Sequence, residues 1–267
     1  MCTTCGSISV TDLPGSDFLD DYYKKFNVDY HGGGRARGAK VRQARYAQVY
    51  LKLLPKLKSG KKLLDIGSST NPFPKIAVEH GYDVTILDYI KPEDLDTRIG
   101  FVKGNIDDQR VVEKLGENSF DLVTAFQVIE HCRDPILMVQ HITRLCVHRG
   151  YVIIATPLVG SFSERNALGR TPWFYPPEHI HLLSIRGMTR MFASFGHTRI
   201  KAKRYELNLV RWLLRYCLAY FEGIRGFVVK KLLPKYWTRT RNYRTSKVQE
   251  LIYYVFEINK HGFVPKT

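Results

Sequence analysis

Leu63-Leu64-Asp65-Ile66-Gly67-Ser68-Ser69 is an apolar run that ends in a glycine and continues into polar residues. Such a run is typical of a strand buried on both faces, and the glycine predicts a tight turn directly after it. The sequence then predicts a helix over residues 74–80, which Gly81 ends, and a second strand over residues 82–88. A strand, a helix and a second strand in this order predict two parallel strands.

The same alternation continues to residue 156. Further strands are predicted at residues 99–104, 120–126 and 150–156, with helices at 108–115 and 134–147. Alternation of this kind buries a parallel sheet between two layers of helices. The predicted fold class is therefore α/β, a Rossmann-like, open and mostly parallel sheet with helices on both faces.

Polar residues directly follow the predicted strands. Gly67 and Ser68 follow the first strand, Asp88 ends the second, Asn105 follows the third and Gln127 follows the fourth. In open parallel sheets, ligands bind at the carboxyl ends of the strands. We therefore expect these residues to form one binding edge.

The turn after the first strand indicates which ligand binds there. It does not contain G-x-G-x-x-G, and the chain has no phosphate-binding G-x-x-x-x-G-K-[ST] motif. What remains is Asp65 before the glycine, and Asp88, which lies 21 residues after Gly67. An acid at the end of the second strand can accept hydrogen bonds from two ribose hydroxyls, and Asp65 can pair with an ammonium group. The pattern favours a ligand with a ribose and an amino acid but no phosphate.

Four segments, in order, resemble the motifs of class I S-adenosylmethionine-dependent methyltransferases: residues 63–69, 84–88, 101–106 and 120–131. Residues 178–184, followed by Phe195-Gly196-His197, resemble the later part of the small-molecule branches of types 11 and 23, which are similar to ubiquinone-biosynthesis methyltransferases. The resemblance covers residues 60–200.

The resemblance implies S-adenosylmethionine as the cofactor and assigns seven residues to it. They are Asp65, Gly67 and Ser68 at the methionine end, Asp88 at the ribose, Asn105 and Ile106 beside the adenine, and Gln127 at the next strand end. Two positions depart from the family pattern. Asn105 stands where the family usually has an acid, and Ser69 stands where it usually has a second glycine.

Methyl transfer to a hydroxyl group needs an aligned acceptor and a base that removes the proton. His131, just after the fourth strand, and His179, in a later loop, are placed where two side chains can meet above the methyl group, and histidine titrates near neutrality. Glu130 either orients His131 or faces the cofactor. His179 and His181 alternate along a short predicted strand, so we expect one to face the cleft, with His179 favoured by the resemblance, and the other to pack.

A bound divalent cation is the alternative for this site. Some small-RNA 2′-O-methyltransferases and the ubiquinone O-methyltransferases carry Glu-x-x-Glu-His at the fourth strand with a later histidine, and they bind a cation. Here Gln127 replaces the first glutamate, which leaves Glu130, His131 and His179 with less negative charge. The prediction is a site without metal.

The formal net charge of +16 is unevenly distributed. Residues 31–62 carry ten bases and no acid, residues 201–267 carry fifteen bases and four acids, and residues 63–200 are close to neutral. We expect a helical N-terminal extension at 1–58, a cofactor-binding domain at 59–200, and a last strand with a basic amphipathic segment at 201–267. Basic flanks favour an anionic partner, although solvated, solubilising segments are the simpler alternative.

Residues 207–237 mix large apolar side chains with arginine and lysine, which is the pattern of a helix that lies in a membrane interface. The alternative is that these apolar residues cap the sheet or contact the partner of a homodimer. No uncharged stretch approaches the ~20 apolar residues that cross a bilayer. We therefore expect a cytoplasmic chain with peripheral contact to an anionic membrane surface.

Five cysteines without regular spacing also indicate a reducing compartment. Cys2-Thr3-Thr4-Cys5-Gly6 looks like half of a zinc ribbon, but a structural zinc needs four ligands and no second pair exists in the sequence. The expectation is a frayed or degenerate N-terminal tip.

The predicted function is O-methylation of a small-molecule, glycan or lipid-linked acceptor by an S-adenosylmethionine-dependent enzyme. The first alternative is an RNA-modifying methyltransferase, because Arg211-Trp212 and Arg215-Tyr216 combine charge with stacking surfaces. Nucleic acid is the less favoured partner. The second alternative is a non-catalytic binding module, against which the intact Asp65, Gly67 and Asp88 count.

Overall fold

The computed structural model describes residues 1–15, 17–19, 21–22, 61–69, 71–157, 159, 174, 176–204 and 251–260. These residues, Arg204 excepted, belong to one compact unit that comprises Met1–Lys203 and Leu251–Thr267. Residues 23–58 of the expected N-terminal helical extension and the basic segment at 207–237 lie outside the described residues. Within the described residues, no helix has the length and hydropathy needed to cross a bilayer.

Between residues 62 and 157 the elements follow one another as the sequence pattern predicts. The strands are β1 (Ile8–Ser9), β2 (Lys62–Ile66), β3 (Asp83–Asp88), β4 (Gly100–Lys103), β5 (Phe120–Phe126), β6 (Cys146–Pro157), β7 (His181–Leu182), β8 (Thr198–Arg204) and β9 (Leu251–Glu257). The helices are α1 (Phe73–Glu79), α2 (Gln109–Leu115), α3 (Pro135–Leu145) and α4 (Ile185–Ser194).

Seven strands form one sheet in the order β4-β3-β2-β5-β6-β9-β8. β2 pairs in parallel with β3 and β5, β3 pairs in parallel with β4, and β5 pairs in parallel with β6. β9 pairs antiparallel with β6. The predicted mostly parallel, Rossmann-like sheet is confirmed. Its order reverses between β2 and β5, so the carboxyl ends of these two strands flank a crevice.

The central strands are buried because helices cover both faces of the sheet. Leu63, Leu64 and Val123 have no exposed surface. Short polar side chains begin the helices: the Asp108 carboxylate accepts the Arg110 N–H at α2, and the Ser184 hydroxyl accepts the Gly187 N–H at α4. These caps supply acceptors for N–H groups that have no partner within the helix.

The boundary between α3 and β6 differs from the prediction of a helix to residue 147 and a strand from residue 150. Cys146 is already extended and pairs with Phe120, whereas the next pair is Leu122 with Tyr151. The residues in between form a bulge, in which Arg149 has a φ of 59° and donates its N–H to the Ile258 carbonyl at 2.8 Å. An apolar run cannot indicate such a bulge, because its cause is pairing with distant residues.

The sheet also includes residues far beyond position 200. β9 lies between β6 and β8, and its Phe256 ring stacks on Phe192 of α4 with 3.6 Å between the ring centroids. The segment at 251–257 is therefore a core strand of the same unit.

The N-terminal residues differ from two expectations. Ile8–Ser9 is a strand that pairs with β7, so this part of the expected helical extension is not helical. The expected frayed tip is also wrong. The Cys2 N–H donates to the Ser7 carbonyl at 2.7 Å, and the Ser184 hydroxyl donates to the Cys5 carbonyl, so the tip is a hydrogen-bonded turn at the start of α4.

Candidate active site

The turn after β2 requires glycine at its first position. Gly67 has a φ of +67°, and a Cβ there would lie 2.6 Å from Cγ2 of Val128. Its N–H donates to the Leu87 carbonyl at 2.9 Å, which joins the turn to the end of β3. Ser69 also has a positive φ, 49°. Ser69 therefore keeps the left-handed conformation of the second glycine that the family usually has here. For serine this conformation costs about 1 kcal/mol of folding free energy.

Asp65 lies inside β2 and is almost fully buried. The Thr124 hydroxyl donates to its Oδ1 at 2.6 Å. Burial raises the pKa of Asp65 to about 7, against the hydrogen bond from Thr124, and the Asp88 carboxylate raises it further. A cationic ligand group would offset this penalty, so the position favours an ammonium.

Asp88 ends β3 beside this turn and is also buried. Its Oδ2 accepts the Ser69 N–H and its Oδ1 accepts the Tyr89 N–H, both at 2.7 Å. The two bonds hold the carboxylate plane in one orientation. Because each carboxylate oxygen has two acceptor positions, both can also accept a hydroxyl group.

The two residues assigned to the adenine have different environments. Asn105 is partly exposed, and its Oδ1 accepts the Asp107 N–H at 3.1 Å, which makes it a turn residue as well as a strand-end residue. The Ile106 side chain packs in the hydrophobic core, and its carbonyl is hydrogen-bonded by Nδ1 of His141 at 2.6 Å. The structure therefore places Asn105 just after the carboxyl end of β4 and the Ile106 side chain in the hydrophobic core.

Gln127 directly follows β5 in a left-handed conformation, with a φ of 60°. Its N–H donates to the Ala155 carbonyl of β6 at 2.7 Å. Non-glycine residues in this region cost free energy and persist only where surrounding contacts impose them. The bend at Gln127 directs the chain into the turn that carries Glu130 and His131.

Glu130, His131 and His179 lie together, as the sequence predicts. One ligand atom from each lies within 4.8 Å of the others. The imidazole rings of His131 and His179 meet edge to face, with 4.7 Å between their centroids. The Glu130 carbonyl accepts the N–H groups of Ile180 and His181, so the turn after β5 holds the loop that carries His179.

The electrostatics of this cluster follow from burial. Burial raises the pKa of Glu130 to about 8, although the Thr156 hydroxyl donates to its Oε2 at 3.1 Å. Oε1 of Glu130 is buried with no hydrogen-bond partner within the described part of the chain. Burial also lowers the pKa of His131 to about 3, and the neighbouring His179 lowers it further. His131 is therefore neutral at physiological pH.

The same three groups fit a divalent cation, because one carboxylate and two imidazoles are suitable donors and lie close enough for one ion. The buried carboxylate oxygen without a partner is consistent with that use. The expectation of a site without metal accordingly stays a prediction, which chelation can test.

His181 packs outside this cluster. Its Nδ1 lies 2.8 Å from the Ser9 hydroxyl, and its Nε2 lies 3.3 Å from the Arg133 carbonyl. It forms part of β7, whereas His179 precedes the strand. The two histidines are therefore held by different elements rather than by one face of a strand.

Sequence reasoning missed the hydroxyl groups that support the site: Thr124 on Asp65, Thr156 on Glu130 and Tyr22 on Glu178, the last at 2.9 Å. For the threonines a signal existed. Each is a polar residue in an otherwise apolar strand, and a buried hydroxyl group requires a partner. Tyr22 had no such signal, since 156 residues separate it from Glu178.

The comparison with known families decides the identity. The sequence profile of a methyltransferase-domain family, type 23, matches residues 39–201. The chain belongs to this methyltransferase family. S-adenosylmethionine is its cofactor, and the residues present fit it: Asp65 favours an ammonium, and Asp88 presents fixed acceptors at the adjacent strand end. No curated protein sequence matches the methyltransferase significantly.

Solved structures share the fold at low identity. The 1,6-didemethyltoxoflavin N1-methyltransferase of Burkholderia thailandensis, solved with S-adenosylhomocysteine, has a TM-score of 0.58 and 12% identity, and the match covers 97% of each chain. A methyltransferase of Archaeoglobus fulgidus has a TM-score of 0.54 and 15% identity, with 89% of this chain and 100% of the other covered. The [4+2]-cyclase SpnF has a TM-score of 0.57 and 14% identity, with 94% and 99% covered. Because a cyclase shares it, the fold alone does not name the reaction.

Proposed function

We propose that this methyltransferase transfers the methyl group to a hydroxyl oxygen of a small-molecule, glycan or lipid-linked acceptor. The observation that carries the proposal is the cluster of Glu130, His131 and His179 after β5, next to the edge where Asp65 and Asp88 lie. A hydroxyl acceptor must lose a proton as the methyl group arrives, and two adjacent imidazoles can receive it. An amine acceptor that is already neutral would not need such a cluster.

When bound, S-adenosylmethionine supplies an electrophilic methyl group. Asp65 would hold its ammonium group and Asp88 its ribose hydroxyls. His131 hydrogen-bonds the acceptor hydroxyl through Nε2. Its pKa of about 3 lies too far below physiological pH for a good proton acceptor, so we assign the proton to His179.

A divalent cation, if one binds, would be held by Glu130, His131 and His179. It would supply a Lewis acid that lowers the pKa of the acceptor hydroxyl. Activity that survives exhaustive chelation supports the metal-free site. Activity that chelation abolishes and magnesium or zinc restores assigns the cluster to the cation.

Among small-molecule, glycan and lipid-linked acceptors, the segment at 207–237 favours a lipid-linked acceptor, because it is both basic and apolar. That segment lies outside the described residues, so its support is the sequence pattern. Co-sedimentation with anionic and neutral vesicles tests membrane contact. Binding to anionic vesicles that weakens with added salt supports it, and protein that stays in the supernatant at every salt concentration contradicts it.

The decisive experiment identifies the product. Purified protein is incubated with methyl-labelled S-adenosylmethionine and with separate small-molecule, glycolipid and RNA fractions of a lysate, and labelled products are analysed by mass spectrometry. A methyl ether in the first two fractions supports the proposal. Label in RNA would establish the RNA-modifying alternative. Methylation of a nitrogen atom would contradict the hydroxyl acceptor. A protein that does not detectably bind the cofactor would be a non-catalytic binding module.

A further inference from the structure

The loop that carries His179 is held from two sides. On one side, the N–H groups of Ile180 and His181 donate to the Glu130 carbonyl at 3.0 and 3.1 Å. On the other side lies the N-terminal segment, by which we mean the described residues among 1–22. Directly before β7 the loop consists of turns and irregular backbone. Its geometry therefore depends on these contacts rather than on a helix or a strand of its own.

The N-terminal segment contacts this loop through both backbone and side chain. β1 pairs with β7, and the Val10 N–H donates to the Ile180 carbonyl at 3.1 Å. Further along the segment, the Tyr22 hydroxyl donates to Oε1 of Glu178 at 2.9 Å. The Tyr22 contact is made by a side chain, so one substitution removes it and leaves the backbone pairing in place.

Glu178 joins Tyr22 to both histidines of the site. While its side chain accepts the Tyr22 hydroxyl, its carbonyl oxygen lies 2.8 Å from Nδ1 of His131. Its peptide bond leads directly into His179, whose ring meets the ring of His131 edge to face. A rotation of Glu178 would therefore withdraw the carbonyl from His131 and turn His179 at the same time. The bond from Tyr22 opposes that rotation.

The bond between Tyr22 and Glu178 is suited to this use. Both side chains are partly shielded from water, and a hydrogen bond to a carboxylate is stronger than one between neutral groups. Burial, and then the Glu178 carboxylate, raise the pKa of Tyr22 to about 12, so its hydroxyl keeps its proton throughout the physiological pH range. The ring also stacks on Phe18, with 6.2 Å between the ring centroids.

We propose that Tyr22 is a positioning residue for methyl transfer, and that it acts through Glu178. By holding Glu178, Tyr22 fixes both the carbonyl that orients His131 and the peptide bond that leads into His179. The inference rests on the proposed function, in which His179 takes the proton of the acceptor hydroxyl. A reacting group that is misplaced by about 1 Å can cost ~10²-fold in rate. Loss of the Tyr22 hydroxyl therefore lowers turnover and leaves cofactor binding unchanged.

The first measurement follows the ring of His131 and needs no acceptor. The full-length protein and its Tyr22→Phe variant carry isotopically labelled histidine, long-range proton–nitrogen NMR records the ring nitrogens, and His131→Asn assigns the signal. In the unmodified protein Nδ1 of His131 should carry the proton, because its partner is a carbonyl oxygen. In Tyr22→Phe the ring should populate both tautomers. A single, unchanged tautomer in the variant would overturn the inference.

The second measurement is turnover, with the lysate fraction that the product screen finds active as the acceptor and released S-adenosylhomocysteine as the readout. Tyr22→Phe should lower the rate ~10–100-fold. Its affinity for S-adenosylhomocysteine and its unfolding temperature should stay close to those of the unmodified protein. Tyr82→Phe is the matched control, because Tyr82 directly precedes β3, at the end of the sheet opposite the site.

Variants of Glu178 test the same bond from its other end. Glu178→Ala should slow turnover as much as Tyr22→Phe does, and the double variant should be no slower than either single variant, because all three lack one bond. Glu178→Gln keeps an oxygen that can accept the Tyr22 hydroxyl, so it should retain most of the turnover. Additive losses in the double variant would overturn the inference.

The outcomes separate this inference from the proposed function. If Tyr22→Phe keeps full turnover while His179→Ala loses it, the inference is wrong and the proposed function stands. If His179→Ala keeps full turnover, the proposed function is wrong and the inference falls with it. A loss in Tyr22→Phe that a larger amount of the acceptor fraction restores would also overturn the inference, because Tyr22 would then bind the acceptor itself. A lower unfolding temperature with normal turnover would leave Tyr22 a structural role and overturn it as well.

Discussion

Nδ1 of His131 lies 2.8 Å from the backbone carbonyl oxygen of Glu178, and this contact determines the tautomer of the histidine. A carbonyl oxygen can only accept, so Nδ1 carries the proton and Nε2 carries the lone pair. Glu178 directly precedes His179 and also accepts the hydroxyl of Tyr22. One peptide segment therefore orients His131 and delivers His179 beside it.

His179→Ala should lower turnover ~10²–10⁴-fold, because it removes the proposed base, and His131→Ala should lower it less. Both variants should bind S-adenosylhomocysteine with unchanged affinity, since neither side chain belongs to the cofactor edge. Turnover is measured with the acceptor found in the product screen, and binding by calorimetry. His80→Ala, an exposed histidine on the far end of α1, is the control. Full turnover in both variants would leave alignment alone as the source of catalysis and would argue against a hydroxyl acceptor.

Asp88→Ala should weaken S-adenosylhomocysteine binding on the order of a hundredfold. It removes two charge-assisted hydrogen bonds, each worth ~1.5–3 kcal/mol, and part of the loss is offset by water. Asp96→Ala is the matched control, because this carboxylate pairs with Arg98 at the surface. An unchanged dissociation constant for Asp88→Ala would remove the ribose assignment.

Asp65→Asn should stabilise the cofactor-free protein while weakening cofactor binding. The folded-state pKa of about 7 lies above the ordinary value of 3.8, so ionised Asp65 costs stability as pH rises from about 4 to 7, and the full cost remains above 7. Asparagine keeps an acceptor for Thr124 and carries no charge. Urea unfolding at pH 8 should therefore show a gain on the order of a few kcal/mol, which shrinks towards zero near pH 4. A loss of stability at pH 8 would contradict the buried, uncompensated charge.

Gly67→Ala and Ser69→Gly should have opposite effects on the turn after β2. An alanine Cβ at position 67 would collide with Val128 and would also need a φ of +67°, so we expect a loss of about 2 kcal/mol or more and much weaker cofactor binding. Ser69→Gly relieves a left-handed serine and should gain up to about 1 kcal/mol. Thermal unfolding measures both, and a destabilised Ser69→Gly would show that the serine side chain contributes more than its backbone costs.

The elements from β2 to β6 and their order could be predicted because each depends on local patterns. Buried strands such as residues 120–126 are continuous apolar runs, and glycine or aspartate marks their ends. Gly67, Asp88 and the pair of His131 and His179 could be assigned because strand ends converge in a parallel sheet. Their function, by contrast, came from a resemblance.

What could not be predicted depends on contacts between distant residues. β9 follows a long segment and could not be predicted as a strand distinct from the basic C-terminal region. No local sequence pattern shows that it inserts between β6 and β8. The docked turn at Cys2 depends on Ser184, and the orientation of His131 depends on the Glu178 carbonyl. A backbone carbonyl carries no side-chain signal in the sequence, so such a partner is visible only in three dimensions.

His197 makes the stability of the sheet depend on pH. Its Nδ1 accepts the Asn259 N–H at 3.2 Å just after β9, and burial lowers its pKa to about 4, with Lys260 adding to the shift. Because the unfolded chain takes up this proton near pH 6.5 and the folded chain only near 4, the unfolded state binds more protons in between. Stability should therefore fall as pH decreases through this window, by up to about 3 kcal/mol from this residue.

His197→Asn should reduce that dependence. The asparagine carbonyl can accept from Asn259 but does not titrate, so the slope of unfolding free energy against pH between 4 and 6.5 should decrease by up to about 1.4 kcal/mol per pH unit, which corresponds to one proton. Urea unfolding at a series of pH values measures the slope. His131 and His181 also have lowered pKa values, and the raised pKa values of Asp65 and Glu130 act in the opposite direction, so a residual dependence on pH should remain in the variant. An unchanged slope in His197→Asn would mean that the His197 ring takes up its proton in the folded state without disturbing β9.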